Sequence, residues 1–474
     1  MNRKEWLLKA GVMLGSSKTL LGQSLAENDK KLFGDLGNDF YFGVANAAFQ
    51  VEGACNVDGK LPSIWDEFTR HKENVKNGQN ALEACDFYHR YSEDIQWAKS
   101  MGFKHFRFSI SWTRVVQADL TTKNQSGVDF YRKVIREILC AGLQPWVTLY
   151  HWDLPQLIED EGGWANRSVV KHFDHYVKLC TKEFGSLVER WILVNEPAAF
   201  VSLGYLNGYH APGRKSPFAF LRAVHHVCLA VAQAGQSLRE ICPNSKLGIA
   251  YSYSPVHGKS TKDHLAVKRV DAFINRLFVE PFLGLGYPNG DLPVLKRLDK
   301  YIEPGDMDKI KFNFDFVGVQ YYFRVVVGSS PWVPFFGGRE IPAAKRGVMM
   351  NSMNREIYPE GMLESIVRFH SYGFKEIVVT ENGVCYNDEP KIINDVEVIE
   401  DQKRIEFYRS HLEQVAIAKA KGAPVTGFFA WSLSDNFEWA EGYRDRFGLV
   451  YIDFSSQRRI LKDSGRWWQR NLCG

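Results

Sequence analysis

"RWILVNEP", residues 190–197, decides how this chain is read. The run Trp191-Ile192-Leu193-Val194 is too short for a helix, apolar on both alternating faces and soon followed by a proline, as in a strand buried on both sides. Asn195 and Glu196 then place polar groups at the end of that strand, where an isolated buried charge is costly. Seven further runs share the pattern: "FYFGVANAAF" (40–49), "KHFRFSIS" (104–111), "QPWVTLYHW" (144–152), "KLGIAYSY" (246–253), "DFVGVQYY" (315–322), "EIVVTE" (376–381) and "VTGFFAWS" (425–432). Helical spacing lies between them. Phe87, Tyr91, Ile95 and Ala98 share one face within 84–102, and Phe130, Val134 and Ile138 precede a glycine stop within 127–142. Eight strands alternating with helices predict an α/β fold, a (β/α)8 TIM barrel, and no GxGxxG or GxxxxGK[ST] marks a doubly wound sheet instead. No linker interrupts the series, so residues 38–472 read as one domain. Longer insertions at about 53–84, 197–222, 255–313 and 323–375 predict extended loops around the C-terminal face.

With 45% hydrophobic and 24% charged residues in 474, the chain has the composition of a large globular core. A net charge of +4 without a basic block excludes a nucleic-acid partner. The eight cysteines show no CxxC spacing and read mainly as free thiols. No uninterrupted apolar stretch reaches the length of a membrane span, so no stable membrane insertion is expected. Residues 1–26 differ: a basic start at Arg3-Lys4, a mildly apolar middle and a small-residue end at Ser24-Leu25-Ala26 read as an export signal, Sec-type or a twin-arginine variant. That predicts a periplasmic or secreted protein; the alternative is a cytoplasmic protein with a flexible or helical leader.

The polar residues at strand ends need a collective explanation. Gln50 and Glu52 follow the first strand and Arg107 lies on the second. His151-Trp152-Asp153 end the third, Asn195-Glu196 the fourth, Gln320-Tyr321-Tyr322 the sixth and Glu381-Asn382 the seventh. The eighth leads through Trp431 to Glu438-Trp439. In a barrel these ends meet at the face where active sites form. Glu196 and Glu381 are the central pair. Two carboxyls flanking a glycosidic oxygen divide acid and nucleophile roles when their surroundings separate their pKa values. Glu196, between an apolar run and Pro197, suits the proton-holding acid, and Glu381, within plausible reach of Arg107, suits the ionised nucleophile. Gln50, His151, Asn195 and Glu438 supply hydrogen-bonding groups for hydroxyls, with Trp431 and Trp439 as aromatic faces. No GxSxG elbow is present, and His225-His226 lack HExxH spacing, so neither a serine nucleophile nor a metal is expected.

These residues resemble glycoside hydrolase family 1 β-glucosidases. "FYFGVANAAFQVEGA", "FRFSISWTRV", "HWDLPQ", "NEP", "GYHAPG", "TENG", "WSLSDNFEW" and "RFGLVYIDF" occur in the order of that family. The resemblance implies Glu196 as general acid/base and Glu381 as nucleophile, with carboxyls about 5 to 5.5 Å apart and retention through a glycosyl-enzyme. It implies that Gln50, His151, Asn195, Glu438 and Trp439 hold the nonreducing-end sugar on a Trp431 platform, that Arg107 and Tyr322 orient and tune Glu381, and that no cofactor is needed.

One position departs from the family. Gln320 in "GVQYY" stands where members usually have Asn, and its added methylene must still let the amide reach the nucleophile or the sugar 2-hydroxyl. Glu438-Trp439 resembles the neutral-sugar version of the family, although Arg444 and Arg446 nearby leave phosphate tolerance physically open. The expected substrates are small β-glucosides or cello-oligosaccharides cut at the terminal β-glucosyl residue, with β-galactosidase or β-fucosidase activity at the side. A catalytically silent sugar receptor is the rival of a different class. The aglycone, the glucose-to-galactose balance and the oligomeric state are not readable from the chain.

Overall fold

The computed structural model describes residues 26–473. The eight runs become the strands β1 (Tyr41–Ala45), β2 (His105–Ser109), β3 (Gln144–Tyr150), β4 (Arg190–Asn195), β5 (Lys246–Ser252), β6 (Phe316–Gln320), β7 (Ile377–Asn382) and β8 (Val425–Trp431). Each pairs in parallel with its sequence neighbours, and β8 returns to β1, so the sheet closes into a barrel without a free edge. The crossovers carry α1 (Phe87–Ser100), α2 (Gln125–Cys140), α3 (Val169–Phe184), α4 (Pro217–Ile241), α5 (His264–Asp271), α6 (Glu360–Ser371) and α7 (Gln402–Ala420), and α8 (Asp463–Cys473) follows β8.

Side chains fill the barrel rather than leaving a pore. Trp146, Ile192, Ala250, Phe316, Val378 and Phe429 form one buried cluster inside it. Room for the large rings comes from glycines on neighbouring strands: a Cβ on Gly43 would lie 2.3 Å from the Phe429 ring, and one on Gly427 would lie 2.1 Å from the Tyr41 ring. At the strand starts, Arg190 pairs with Glu376 at 2.7 Å and lies 4.8 Å from the Trp146 ring. That closes the lower end and leaves the upper end for chemistry.

Two readings change. Residues 26–36 form a helix ahead of the expected domain start at 38. Leu32 and Leu36 are buried, and Asp29 accepts from Arg409 of α7 at 2.6 Å and from the Trp467 indole of α8 at 2.8 Å. The packed body therefore includes this helix. The export reading falls on residues that, except for Ala26, lie outside those described. Second, α4 is long and apolar enough to cross a membrane by composition, contrary to the sequence expectation, but 78% of its most apolar window is buried inside the protein. It packs against α3 as a core helix, which explains the apolar residues all round it. None of the eight cysteines forms a disulfide.

Leu36 is fully buried. Leu36→Ala is expected to cost about 2 to 5 kcal/mol, measured as a lowered midpoint of urea unfolding; an unchanged midpoint would show that helix 26–36 adds nothing to the body.

Candidate active site

β4 explains the polar ending of "RWILVNEP". The Glu196 amide donates to the Ala250 carbonyl of β5 at 2.9 Å, so strand pairing continues through it. Glu196 itself has φ 48° and ψ 62°, in the left-handed region, and Pro197 begins a short helix at Pro197–Val201. A non-glycine residue pays about 1 to 3 kcal/mol for that backbone. The turn ends the strand with the Glu196 carboxyl buried among the strand ends rather than out on a helix surface.

Arg107, 1% exposed on β2, organises the base of the site. Its Nη1 donates to Glu381 Oε1 at 2.5 Å and to the Thr380 carbonyl at 3.1 Å, its Nη2 to Asn195 Oδ1 at 2.5 Å, and its Nε to Thr148 Oγ1 at 3.2 Å. One guanidinium thus joins β2, β3, β4 and β7. Glu381 has two further donors: Gln320 Nε2 reaches Oε1 at 2.7 Å and the Tyr322 hydroxyl reaches Oε2 at 2.8 Å. The longer Gln320 side chain therefore does reach Glu381. It also donates to Asn195 Oδ1 at 2.7 Å, which engages its amide nitrogen twice.

The two carboxyls sit in unequal fields. Burial pushes both upward. For Glu381, the Arg107 charge and the Arg107 and Tyr322 hydrogen bonds pull the other way. For Glu196, the Glu381 charge adds to burial, and the pKa rises to about 8 despite smaller opposition from Ser252 and Arg107. A single shared proton belongs on Glu196.

Further polar strand-end groups surround this pair. Asn195 Nδ2 donates to His151 Nε2 at 3.1 Å, which makes His151 a neutral ring with its proton on Nδ1; burial, and then the Arg107 charge, hold its pKa well below the ordinary value. Gln50 Nε2 donates to the Phe437 carbonyl at 2.9 Å and to Asn436 Oδ1 at 3.1 Å, with Glu438 Oε2 at 3.4 Å. Gln50 Oε1, His151 Nδ1 and Gln320 Oε1 are buried without a partner among the described residues. Such atoms at a rim suit a polyhydroxylated ligand. Trp431 stacks with His151 at 5.9 Å, and Trp439 packs on Trp152 at 4.6 Å and Trp65 at 4.7 Å. Glu438 is pushed to about 8 by burial and by the Asp445, Glu381 and Glu441 carboxylates.

Not every strand-end group joins the site. Glu52 is drawn aside by Arg114 at 3.0 Å and the Tyr131 hydroxyl at 2.6 Å, the Tyr321 hydroxyl donates to the Tyr358 carbonyl, and the Asn382 amide donates to the Tyr321 carbonyl. Asp153 is fully enclosed, and burial raises its pKa to about 8. Arg444 and Arg446 are neutralised by Asp445 and Asp435 at 2.7 and 2.8 Å, so neither is a free phosphate ligand.

Sequence reasoning missed the support beneath the β8 loop. Lys462, fully buried, donates to Asp388 at 2.6 Å and to Asp435 at 2.7 Å, while Arg404 holds Asp388 and Asp401. Asp435 precedes Asn436, which holds Gln50. No local spacing announces such a network, because its members come from four segments of the chain.

The model of "Glycosyl hydrolase family 1" matches residues 33–472. β-Glucosidase A of Thermotoga maritima is 38% identical over 433 residues, covering 90% of this chain and 96% of that protein. The 1,4-β-D-glucan glucohydrolase of Thermotoga neapolitana is 38% identical over 435 residues, with coverage of 90% and 96%. The structure of the family 1 β-glucosidase from Thermotoga maritima superposes with a TM-score of 0.86 at 38% identity, covering 92% of this chain and 98% of that one. With a closed barrel, two buried carboxyls at its mouth and a match across nearly all of its length, the chain belongs to glycosyl hydrolase family 1 and is a glycoside hydrolase.

Proposed function

We propose that the protein is a retaining, exo-acting β-glucosidase, with Glu381 as nucleophile and Glu196 as acid/base. The observation that carries this reading is the unequal treatment of the two buried carboxyls: three side-chain donors, one of them cationic, converge on Glu381 and oppose the upward push of burial, while at Glu196 the Glu381 charge adds to that push. Glu196 gives its proton to the glycosidic oxygen as Glu381 attacks the anomeric carbon, and a glycosyl ester forms. Glu381 is then neutral, the repulsion on Glu196 falls, and Glu196 takes the proton of the incoming water as the ester is hydrolysed.

In the same reading Gln50, His151, Asn195, Gln320, Glu438 and Trp439 hold the terminal sugar above Trp431, with Arg107 and Tyr322 tuning the nucleophile. Terminal cleavage of glucans draws support from the similarity to the 1,4-β-D-glucan glucohydrolase of Thermotoga neapolitana. Acceptance of galactosides as a side activity draws support from solved complexes of the Thermotoga maritima enzyme with both deoxynojirimycin and galacto-hydroximolactam. The neutralised Arg444 and Arg446 argue against a 6-phosphosugar.

Glu381→Gly is expected to abolish hydrolysis of an aryl β-glucoside and to regain turnover with azide or formate; a variant as active as wild type would remove Glu381 from the mechanism. Because the acid must be protonated, kcat/KM should fall as pH rises through about 8, and on the acid side it should fall as Glu381 takes up a proton. Glu196→Gln should lose the alkaline limb along with most activity toward poor leaving groups, as a pH–rate profile would show. Since Gln320 already spans Glu381 and Asn195, Gln320→Asn should change kcat/KM by less than about tenfold; a larger gain would mean that the native side chain compromises the site.

A further inference from the structure

Beside the mouth, the loop after β6 holds a cavity of about 280 Å³ that the sugar-reading groups leave unused. Phe323 and Arg324 follow Tyr322 directly and line it together with Met353, Arg355 and Glu356. Met353 packs, as Tyr322 does, against the buried cluster that contains Trp431, Cys385 and Phe447. The cavity wall is therefore continuous with the wall that carries the nucleophile's tyrosine.

Its charges do not cancel. Glu356, 4% exposed, is shared by Arg324 at 2.8 Å and Arg346 at 2.6 Å. Arg355 lies over the Phe323 ring at 4.5 Å, and its only acidic contact among the described residues is Glu340 at 3.4 Å, with side chains 45% and 51% exposed. Such an exposed pair is weak. The acids nearby at the mouth have cations of their own: Glu441 is paired with Lys76 and Asp445 with Arg444. Ser352, three residues before Arg355, donates from its hydroxyl to Asp445 at 2.7 Å and from its amide to the Cys385 carbonyl at 3.3 Å, which ties this segment to the rim that follows β7 and β8. Three guanidiniums thus face two carboxylates in this cavity, and the exposed one is already stacked on an aromatic ring.

We propose that this cavity receives the aglycone and selects β-glucosides whose aglycone is an aromatic ring bearing a carboxylate. The proposal rests on the β-glucosidase reading above and adds the class of leaving group. The ring would lie against Phe323 and Met353, where apolar area is available, and the carboxylate would meet the planar fork of Arg355, whose geometry fits two parallel hydrogen bonds. A neutral amide of the same shape gains neither the charge nor the paired acceptors.

The test compares kcat/KM for 4-carboxyphenyl and 4-carbamoylphenyl β-glucoside in the full-length enzyme, in Arg355→Met, Arg355→Lys and Arg355→Glu, and in Glu340→Gln. The ratio of the two substrates is read within each enzyme, so differences in leaving-group chemistry and uniform losses of activity cancel when variants are compared. The carboxylate-to-amide ratio is expected to fall roughly three- to fivefold in Arg355→Met and further in Arg355→Glu, to be largely kept in Arg355→Lys, and to rise in Glu340→Gln. It should also shrink with added salt in the wild type. Equal ratios in wild type, Arg355→Met and Arg355→Glu would overturn the aglycone assignment while leaving the β-glucosidase reading intact. Failure of the wild type to hydrolyse either glucoside or phenyl β-glucoside would overturn both.

Discussion

The site depends on the cost of burying Arg107. A guanidinium at 1% exposure survives only if its charge is matched and its donors are used, and breaking such a pair costs about 3 to 5 kcal/mol. Glu381 supplies the charge; Asn195, Thr148 and the Thr380 carbonyl take three of the other four N–H donors. Satisfying one residue therefore brings four barrel strands to a common point. The same arrangement leaves Glu381 with a cation and Glu196 without a comparable one, so the unequal surroundings of the two carboxyls are built into the packing.

A second buried network supports the upper rim. Lys462 and Arg404 bind Asp388, which follows β7, and Lys462 and Arg446 bind Asp435, which follows β8. The segment after Asp435 then supplies the acceptors that fix the Gln50 amide, leaving Gln50 Oε1 as the unpartnered end. Fixing a hydrogen-bonding group before a ligand arrives removes part of the ordering cost of binding. The rim carrying Arg355 is different, with side chains near half exposure. It can vary in charge without disturbing either network, which is what a specificity surface requires.

Much of this was legible in the chain. All eight strands fall on the runs read from apolar patterning, with β7 reaching one residue beyond its run to Asn382, because a parallel strand covered on both faces needs an almost continuous apolar sequence. The strand-end polar residues stood out for the complementary reason, that charge has no cheap place beside such runs. Less legible was which of them share a site. Glu52 and Asp153 occupy the same kind of position as Gln50 and His151, yet Arg114 and Tyr131 draw Glu52 away and Asp153 is buried beside Ser111. Helix α4 shows the same limit from the other side: its apolar length means core burial here, and composition alone does not distinguish that from a membrane span.

By itself, the sequence determined the strand count, the alternation with helices, the placement of Glu196 and Glu381 at strand ends, and the family motifs, because these are local or ordered properties of a chain. Only the tertiary structure decided that Gln320 spans Asn195 and Glu381, that helix 26–36 belongs to the body, that Arg444 and Arg446 are already neutralised, and that Arg355 stands with little compensation beside the mouth. The first two of those outcomes turn on distances between groups far apart in the chain, 125 positions for Gln320 and Asn195 and 380 for Asp29 and Arg409. Closing the barrel creates such proximities, and pKa values, hydrogen-bond partners and net local charge all follow from proximity rather than from residue identity.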